Sequence, residues 1–246
     1  MSKSFRMAAR SRSALVASSA SLLLAATSVS LAGPDWDLDL TEDAGKTLLT
    51  AQAITTGGSI STIAGNLGNY PLTGASDGQD LYLVYVDSPL LFRVSTVGID
   101  GGSAGFNASL FAFAVDYSGG DAAARALLGN TSAFVGTTDA RLVQGTNDGT
   151  NIKLETAGLY LIGIALDGTY PINSLFESIF GDNLSTPGLV VGPSSAVSSV
   201  LFDWGGSGGP GGSYVMTVQG ISGTLVPAPG AVALLGFAGL RLRRRR

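Results

Sequence analysis

The chain of 246 residues contains no cysteine and no histidine, and it carries 14 basic against 18 acidic side chains. The missing residue types exclude disulfide bonds, Ser-His-Asp and Cys-His catalysis, and the commonest zinc ligands. Nine of the basic residues lie in the first 12 and the last six positions, which leaves five basic and all 18 acidic residues in between. This body, with a net charge of −13, repels phosphate backbones, so nucleic-acid binding is excluded.

The first 32 residues have the composition of a secretory signal peptide. Four basic residues precede a segment of apolar and small side chains that runs from residue 14 to residue 31. Small residues at positions 30 and 32 favour cleavage between Ala32 and Gly33. The length of the segment leaves an uncleaved membrane helix as the alternative. We predict a cleaved, apolar helical signal over residues 1–32, and hence export.

Two groups of aspartates are candidate metal ligands. Asp35, Asp37 and Asp39 alternate just after the predicted cleavage site, and Asp77 and Asp80 form a second group. Alternate carboxylates on an extended chain share one side, and hard oxygen ligands suit Ca²⁺. The glycine and the distal glutamate of an EF-hand are missing, so the pattern is not that motif. A solvated acidic linker and an acidic turn are the alternative, since an exported body with a net charge of −13 would carry such residues in any case. We predict no other cofactor.

Short apolar runs separated by Gly, Asn, Asp and Ser predict an all-β body over residues 33–225. Residues 81–86 and 90–97 are predicted to pair as two strands around a turn at residues 87–89. The second run alternates between apolar and polar side chains in its middle, as a half-buried strand does. Residues 108–115 are apolar on both faces, which predicts a central strand.

The later part of the body contains a long predicted insertion. Alanine-rich residues 121–128 are expected to form a short helix or a loop turn, and residues 158–166 and 212–219 are expected to form strands. The insertion, residues 167–211, lies between these two strands. Within it we expect a small amphipathic helix at 172–180, a further strand at 196–204 and a flexible glycine-rich loop at 205–212.

Five short motifs follow one another along the body: Glu42-Asp-Ala-Gly45, Asp77-Gly-Gln-Asp80-Leu-Tyr82, Asn107-Ala-Ser-Leu110, Glu155-Thr-Ala-Gly158-Leu-Tyr160 and Gly212-Ser-Tyr214. Their order resembles that of bacterial pre-peptidase C-terminal domains. The resemblance covers about residues 40–220 and is interrupted by the insertion. It implies a jelly-roll-like β-sandwich that serves as a secreted accessory module and not as a catalyst.

The last 21 residues combine a proline pair, an apolar run and an arginine cluster. Val226-Pro227-Ala228-Pro229-Gly230 precedes ten apolar or small residues, which as a helix span about half of a bilayer core. This order resembles the PEP-CTERM sorting tail of Gram-negative bacteria, with alanine in place of the motif's glutamate. The resemblance implies recognition by an exosortase during transient anchoring in the inner membrane. The implied signal comprises Val226, Pro227, Pro229, Gly230, Arg243, Arg244, Arg245 and Arg246. A frayed basic tail that binds anionic surfaces is the alternative.

The residues favour an exported protein without catalytic activity. Trp36, Tyr170, Phe176 and Trp204 would make a sugar-stacking platform only if the fold joined them, and core packing is the simpler expectation. No acidic pair has a spacing that singles it out for catalysis. We therefore predict a cell-surface or extracellular-matrix protein whose partners are signal peptidase, an exosortase-type enzyme, the inner membrane and exopolysaccharide. The alternative is a calcium-dependent carbohydrate- or protein-binding module, and an extracellular hydrolase comes third.

Overall fold

The computed structural model describes residues 44–69 and 76–224; the predicted signal peptide and sorting tail lie outside these residues. The described residues contain strands, loops and three short 3₁₀ turns but no α-helix, which confirms the prediction of an all-β body. The strands are β1 (Gln52–Ala53), β2 (Thr62–Asn69), β3 (Ser76–Asp77), β4 (Gln79–Val86), β5 (Arg93–Ser95), β6 (Ser103–Ala104), β7 (Ala108–Asp116), β8 (Ala123–Asn130), β9 (Arg141–Val143), β10 (Gly158–Leu166), β11 (Thr169–Ile172), β12 (Asp203–Gly206), β13 (Gly212–Gln219) and β14 (Ile221–Ser222). The 3₁₀ turns are Pro89–Leu91, Gly98–Asp100 and Asp182–Ser185.

Most of these strands belong to two six-stranded sheets. The front sheet has the order β1-β4-β10-β7-β8, and β14 pairs with the end of β4. The back sheet has the order β3-β2-β13-β5-β9, and β6 pairs with β13. β11 and β12 form a separate antiparallel ribbon. β10 and β13, the two strands predicted at residues 158–166 and 212–219, have the predicted bounds.

The two sheets face each other across one hydrophobic core, in a sandwich-like arrangement. Because side chains alternate along a strand, every second residue of a strand points into this core. The front sheet contributes Tyr82, Val84, Val86, Leu110, Ala112, Ile162 and Ile164, and the back sheet contributes Ile63, Leu67, Val94, Leu142, Met216 and Val218. Burial of this apolar surface stabilises the body without any disulfide.

The outer face of the front sheet is covered by residues 167–211, the segment predicted as an insertion. Phe180 lies against Phe111 with ring centroids 5.5 Å apart, and Trp204 lies 5.4 and 6.4 Å from Phe111 and Phe113. This outer cluster also contains Leu81, Leu161, Ala165, Ile179 and Val191. The two faces of β7 thus meet two different hydrophobic clusters, and β7 is the central strand that its sequence predicts.

The predicted pairing of residues 81–86 with 90–97 is wrong. β4 pairs with β10, β1 and β14 in the front sheet, whereas β5 pairs with β13 and β9 in the back sheet. The chain crosses between the sheets through the 3₁₀ turn that begins at Pro89, a residue that cannot donate to a sheet ladder. Alternation along a strand shows which side chains point inward, but strands of either sheet satisfy that pattern.

The helix or loop turn expected at residues 121–128 is instead mostly strand. These residues enter β8, which pairs with β7 at the edge of the front sheet. The small side chains of Ala124 and Ala126 are buried beneath residues 167–211, which we call the covering segment. Two backbone hydrogen bonds join the covering segment to the outer edge of β8. Ala126 N–H donates to the carbonyl oxygen of Ser199, and Leu201 N–H donates to that of Ala124. The strand expected at 196–204 is therefore found in part, as this short pairing and the start of β12.

The helix expected at residues 172–180 is also wrong, because a side chain closes a turn there. Asn173 Oδ1 accepts hydrogen bonds from the backbone N–H of Leu175 at 2.9 Å and of Glu177 at 3.1 Å. Phe176 has a left-handed φ of 62°. Asparagine often competes with helix formation in this way. The turn leaves Leu175 and Phe176 exposed, whereas Phe180 returns to the outer cluster.

Candidate functional site

Of the predicted site residues, only Asp77 and Asp80 belong to the part that the structure describes. The cleavage site, the sorting tail and Asp35, Asp37 and Asp39 lie outside it. Asp77 ends β3 of the back sheet and Asp80 lies in β4 of the front sheet, and both are buried. Within residues 44–69 and 76–224, no three acidic side chains gather around a common point suited to a metal ion. Calcium binding stays a prediction.

Asp80 belongs to a buried polar cluster between the two sheets. Tyr214 of β13 donates its hydroxyl hydrogen to Asp80 Oδ2, and the hydroxyl oxygens of Tyr82 and Tyr214 are 2.5 Å apart. Gly65 on β2 leaves space for this contact, since a Cβ there would lie 2.4 Å from the Tyr214 hydroxyl oxygen. Burial, and then the charge of Asp80, raise the pKa of Tyr214 well above its ordinary value. A neutral tyrosine therefore connects the back sheet to a buried carboxylate of the front sheet.

Asp100 connects two strands of the back sheet. It accepts hydrogen bonds from Arg93, from Ser95 Oγ at 2.6 Å and from Arg141 Nε at 2.7 Å. The guanidinium of Arg141 also stacks on the ring of Phe134 at 4.8 Å. Burial disfavours the charge of Asp100, but the bonds from Ser95 and Arg141 and the two positive charges outweigh it and lower the pKa of this carboxyl. The network fixes β5 against β9.

Two further carboxylates organise the backbone around them. Asp148 accepts hydrogen bonds from the N–H of Thr150 at 3.0 Å, from its hydroxyl at 2.6 Å and from the N–H of Gly192 at 2.8 Å. Burial opposes the charge of Asp148, yet these bonds lower its pKa. Asp116 accepts from Arg125 Nε at 2.6 Å and from the N–H of Ser118 at 2.8 Å, which lowers its pKa to about 2.

The structure gives Trp204 a packing role. Its ring lies over the outer cluster, and its Nε1–H donates to the carbonyl oxygen of Lys46 at 2.7 Å. Phe176 lies edge-on to Phe202 at 5.9 Å, and both rings are exposed. The ring of Tyr170 lies on the backbone of β12, since a Cβ on Gly205 would be 2.9 Å from it. Trp36, the fourth of these aromatic residues, is outside the described residues.

A cleft of about 370 Å³ opens where residues 167–211 leave the front sheet. Its volume lies within the range of small-molecule sites, about 300 to 1,000 Å³. It is lined by Ser109, Thr131, Asp167, Gly168, Thr169, Tyr170, Ser178, Phe180, Gly181, Asp182, Leu184 and Ser185. A neighbouring groove of about 450 Å³ is lined by Asp148, Thr150, Ile152, Gly181, Asn183, Val191, Gly192, Pro193, Ser194 and Ser195. The sequence did not reveal the cleft, because its residues come from separate segments that no spacing connects.

The comparisons with known proteins found no relative of this chain. No family model matches it, and neither the curated proteins nor the solved structures include a significant match. No helix among residues 44–69 and 76–224 has the length and apolar composition needed to cross a bilayer.

Proposed function

We propose that this chain is a non-enzymatic exported protein of the cell surface or extracellular matrix, sorted through its C-terminal tail. The observation that carries the proposal is the order of proline pair, short apolar run and terminal arginines in residues 226–246. Signal peptidase and an exosortase-type enzyme would process the chain, with transient anchoring in the inner membrane. Exopolysaccharide is the proposed neighbour of the mature protein.

The architecture of the body permits a role outside the cell. Hydrophobic clusters cover both faces of the front sheet, and no cysteine is needed to hold the strands together. Folding of such a body is independent of the redox state of its surroundings. We propose that its two sheets have the jelly-roll-like arrangement of the pre-peptidase C-terminal domains, with residues 167–211 added outside the front sheet.

The charges of the body support the same role. A net charge of −13 keeps an exported protein soluble and limits its association with other acidic molecules. Asp100, Asp116 and Asp148 hold strands and loops together through several hydrogen bonds each. These three carboxylates therefore serve the fold of the body.

Removal of the tail in the native host tests the sorting proposal. A chain lacking residues 231–246 is expected to leave the surface fraction, as measured by immunoblotting of cell fractions. Joint replacement Pro227→Ala and Pro229→Ala should have the same effect. Pro210→Ala is the matched control, because it removes a proline from the glycine-rich loop of the body and leaves the tail intact. An intact tail on the mature surface protein, found by mass spectrometry, would contradict the proposal.

A further inference from the structure

We propose that the cleft of about 370 Å³ beside β7 binds a neutral sugar unit. Three features of the cleft support this ligand: a buried hydroxyl at its floor that has no partner among the described residues, walls that offer mainly hydrogen-bond acceptors, and an aromatic ring held in place at its side. The inference goes beyond the proposed function, because it is independent of how the chain is sorted.

The floor of the cleft contains a buried hydroxyl group with unused hydrogen-bonding capacity. Ser109 is 1% exposed, and its Oγ has no hydrogen-bond partner among the described residues. Ser109 precedes Phe111 by two positions on β7, so it shares the outer face of the front sheet with the residues under the covering segment. A buried hydroxyl without a partner is costly. A ligand that reaches the floor of the cleft would supply that partner.

The walls of the cleft accept hydrogen bonds more readily than they donate them. The hydroxyls of Thr131, Ser178 and Ser185 each donate their hydrogen to a backbone carbonyl oxygen, at 2.9, 2.6 and 3.1 Å. Their lone pairs remain, since a hydroxyl has one hydrogen and two acceptor positions. Asp167 and Asp182 add carboxylate oxygens. A ligand rich in donors suits these walls, and the hydroxyl groups of a sugar are such donors.

Tyr170 provides a fixed aromatic surface at the side of the cleft. Its ring lies on Gly205 and Gly206 of β12, where an added Cβ would come within 2.9 and 3.3 Å of ring atoms. The residue is nevertheless 36% exposed. Aromatic rings fixed by packing bind the apolar face of a ligand at a small entropic cost. The two carboxylates disfavour an anionic ligand, so the proposed sugar unit is neutral.

Binding is tested on the full chain by NMR titration with glucose, galactose, mannose and N-acetylglucosamine. We expect saturable shifts of amide signals around the cleft for at least one of these sugars. Glucuronate, which has a carboxylate where glucose has a hydroxymethyl group, should bind at least tenfold more weakly than the best of the four sugars, and equally tight binding would contradict the neutral ligand. Saturable shifts at the cleft with none of the four sugars, or the same shifts with calcium chloride alone, would overturn the proposal.

Substitutions then connect binding to the named groups. Ser109→Ala and Asp182→Asn should each weaken binding of the best sugar at least tenfold. Ser195→Ala, which changes an exposed serine of the neighbouring groove, is the matched control and should leave binding unchanged. Without sugar, Ser109→Ala should keep or raise the midpoint of thermal unfolding, because it removes a buried hydroxyl that has no partner in residues 44–69 and 76–224. A midpoint several degrees lower would assign the hydroxyl a structural role and overturn the proposal.

Discussion

Tyr214→Phe tests whether the buried hydroxyl cluster stabilises the contact between the two sheets. The substitution removes one oxygen and no carbon, so it creates no apolar cavity of the kind left by large-to-small changes. It deletes the hydrogen bond to Asp80 and the contact with the hydroxyl of Tyr82. A bond to a charged group contributes about 1.5 to 3 kcal/mol and a neutral one about 0.5 to 1.5 kcal/mol. Since one hydroxyl makes both contacts, the substitution loses both contributions together. We therefore expect the free energy of unfolding to fall by about 2 to 4 kcal/mol.

Tyr160→Phe is the matched control for this substitution. The hydroxyl of Tyr160 donates to the carbonyl oxygen of Thr156 at 2.7 Å, so its loss should cost only about 1 kcal/mol. Urea unfolding followed by circular dichroism measures both free energies. In a domain of this size about 1 kcal/mol corresponds to about 2 to 4 °C in the thermal midpoint. Equal losses for the two variants would refute the stabilising role assigned to the cluster.

Alkaline unfolding gives a second measurement of the same contact. The pKa of Tyr214 is raised in the folded state, so the unfolded chain ionises at lower pH than the folded one. This contribution to stability is complete below the unfolded pKa, about 10, and is lost as the pH rises through the folded pKa. The wild type should therefore lose stability more steeply above about pH 10 than Tyr214→Phe does. Identical slopes for the two proteins would contradict the pKa shift.

Two further predictions concern the back sheet and the covering segment. The folded pKa of Asp100 is lowered, so its contribution to stability is complete above the unfolded pKa, about 3.9, and is lost as the pH falls through the folded value. Asp100→Asn should lower the free energy of unfolding at pH 7 by about 2 to 4 kcal/mol. The variant should also lose less stability than the wild type as the pH falls below about 4. An acid unfolding profile identical to that of the wild type would contradict this prediction. Phe180→Ala should lower the free energy of unfolding, measured in urea, by about 3 to 5 kcal/mol. The reason is that Phe180 is only 1% exposed and its ring packs against Phe111. Phe176→Ala, at 74% exposure, should change stability by less than about 0.5 kcal/mol, and equal costs would place Phe180 outside the core.

The strands with strong alternation or continuous apolar character were predictable from the sequence. β10 and β13 have their predicted bounds, and the apolar residues on both faces of β7 indicated its central position. Their partners were not predictable, because alternation specifies a face and not a neighbour. The prediction for residues 121–128 is wrong for a related reason. Alanine is a good helix former, so the composition of this segment favours a helix. Ala124 and Ala126 suit the edge strand β8 because they lie buried beneath the covering segment.

The polar contacts were less predictable than the strands. Asp77 and Asp80 stand close together in the sequence, but they belong to different sheets. Asp80 meets Tyr214, which lies 134 positions away along the chain. Likewise, Ser109 and Asp182 line one cleft although they come from β7 and from a 3₁₀ turn of the covering segment. Sequence spacing carries no information about such contacts, since they are set by how the sheets and loops pack.

The covering segment is part of the fold and not a removable addition to it. Phe111, Phe113, Leu81 and Leu161 are fully buried, and their side chains lie on the face of the front sheet that this segment covers. A two-sheet body alone would expose these four large apolar side chains to water, at a cost of about 1.5 to 3 kcal/mol for each. The front sheet and residues 167–211 must therefore be stable together. The cleft forms where this segment leaves the sheet, so its walls are held by the same packing that stabilises the body.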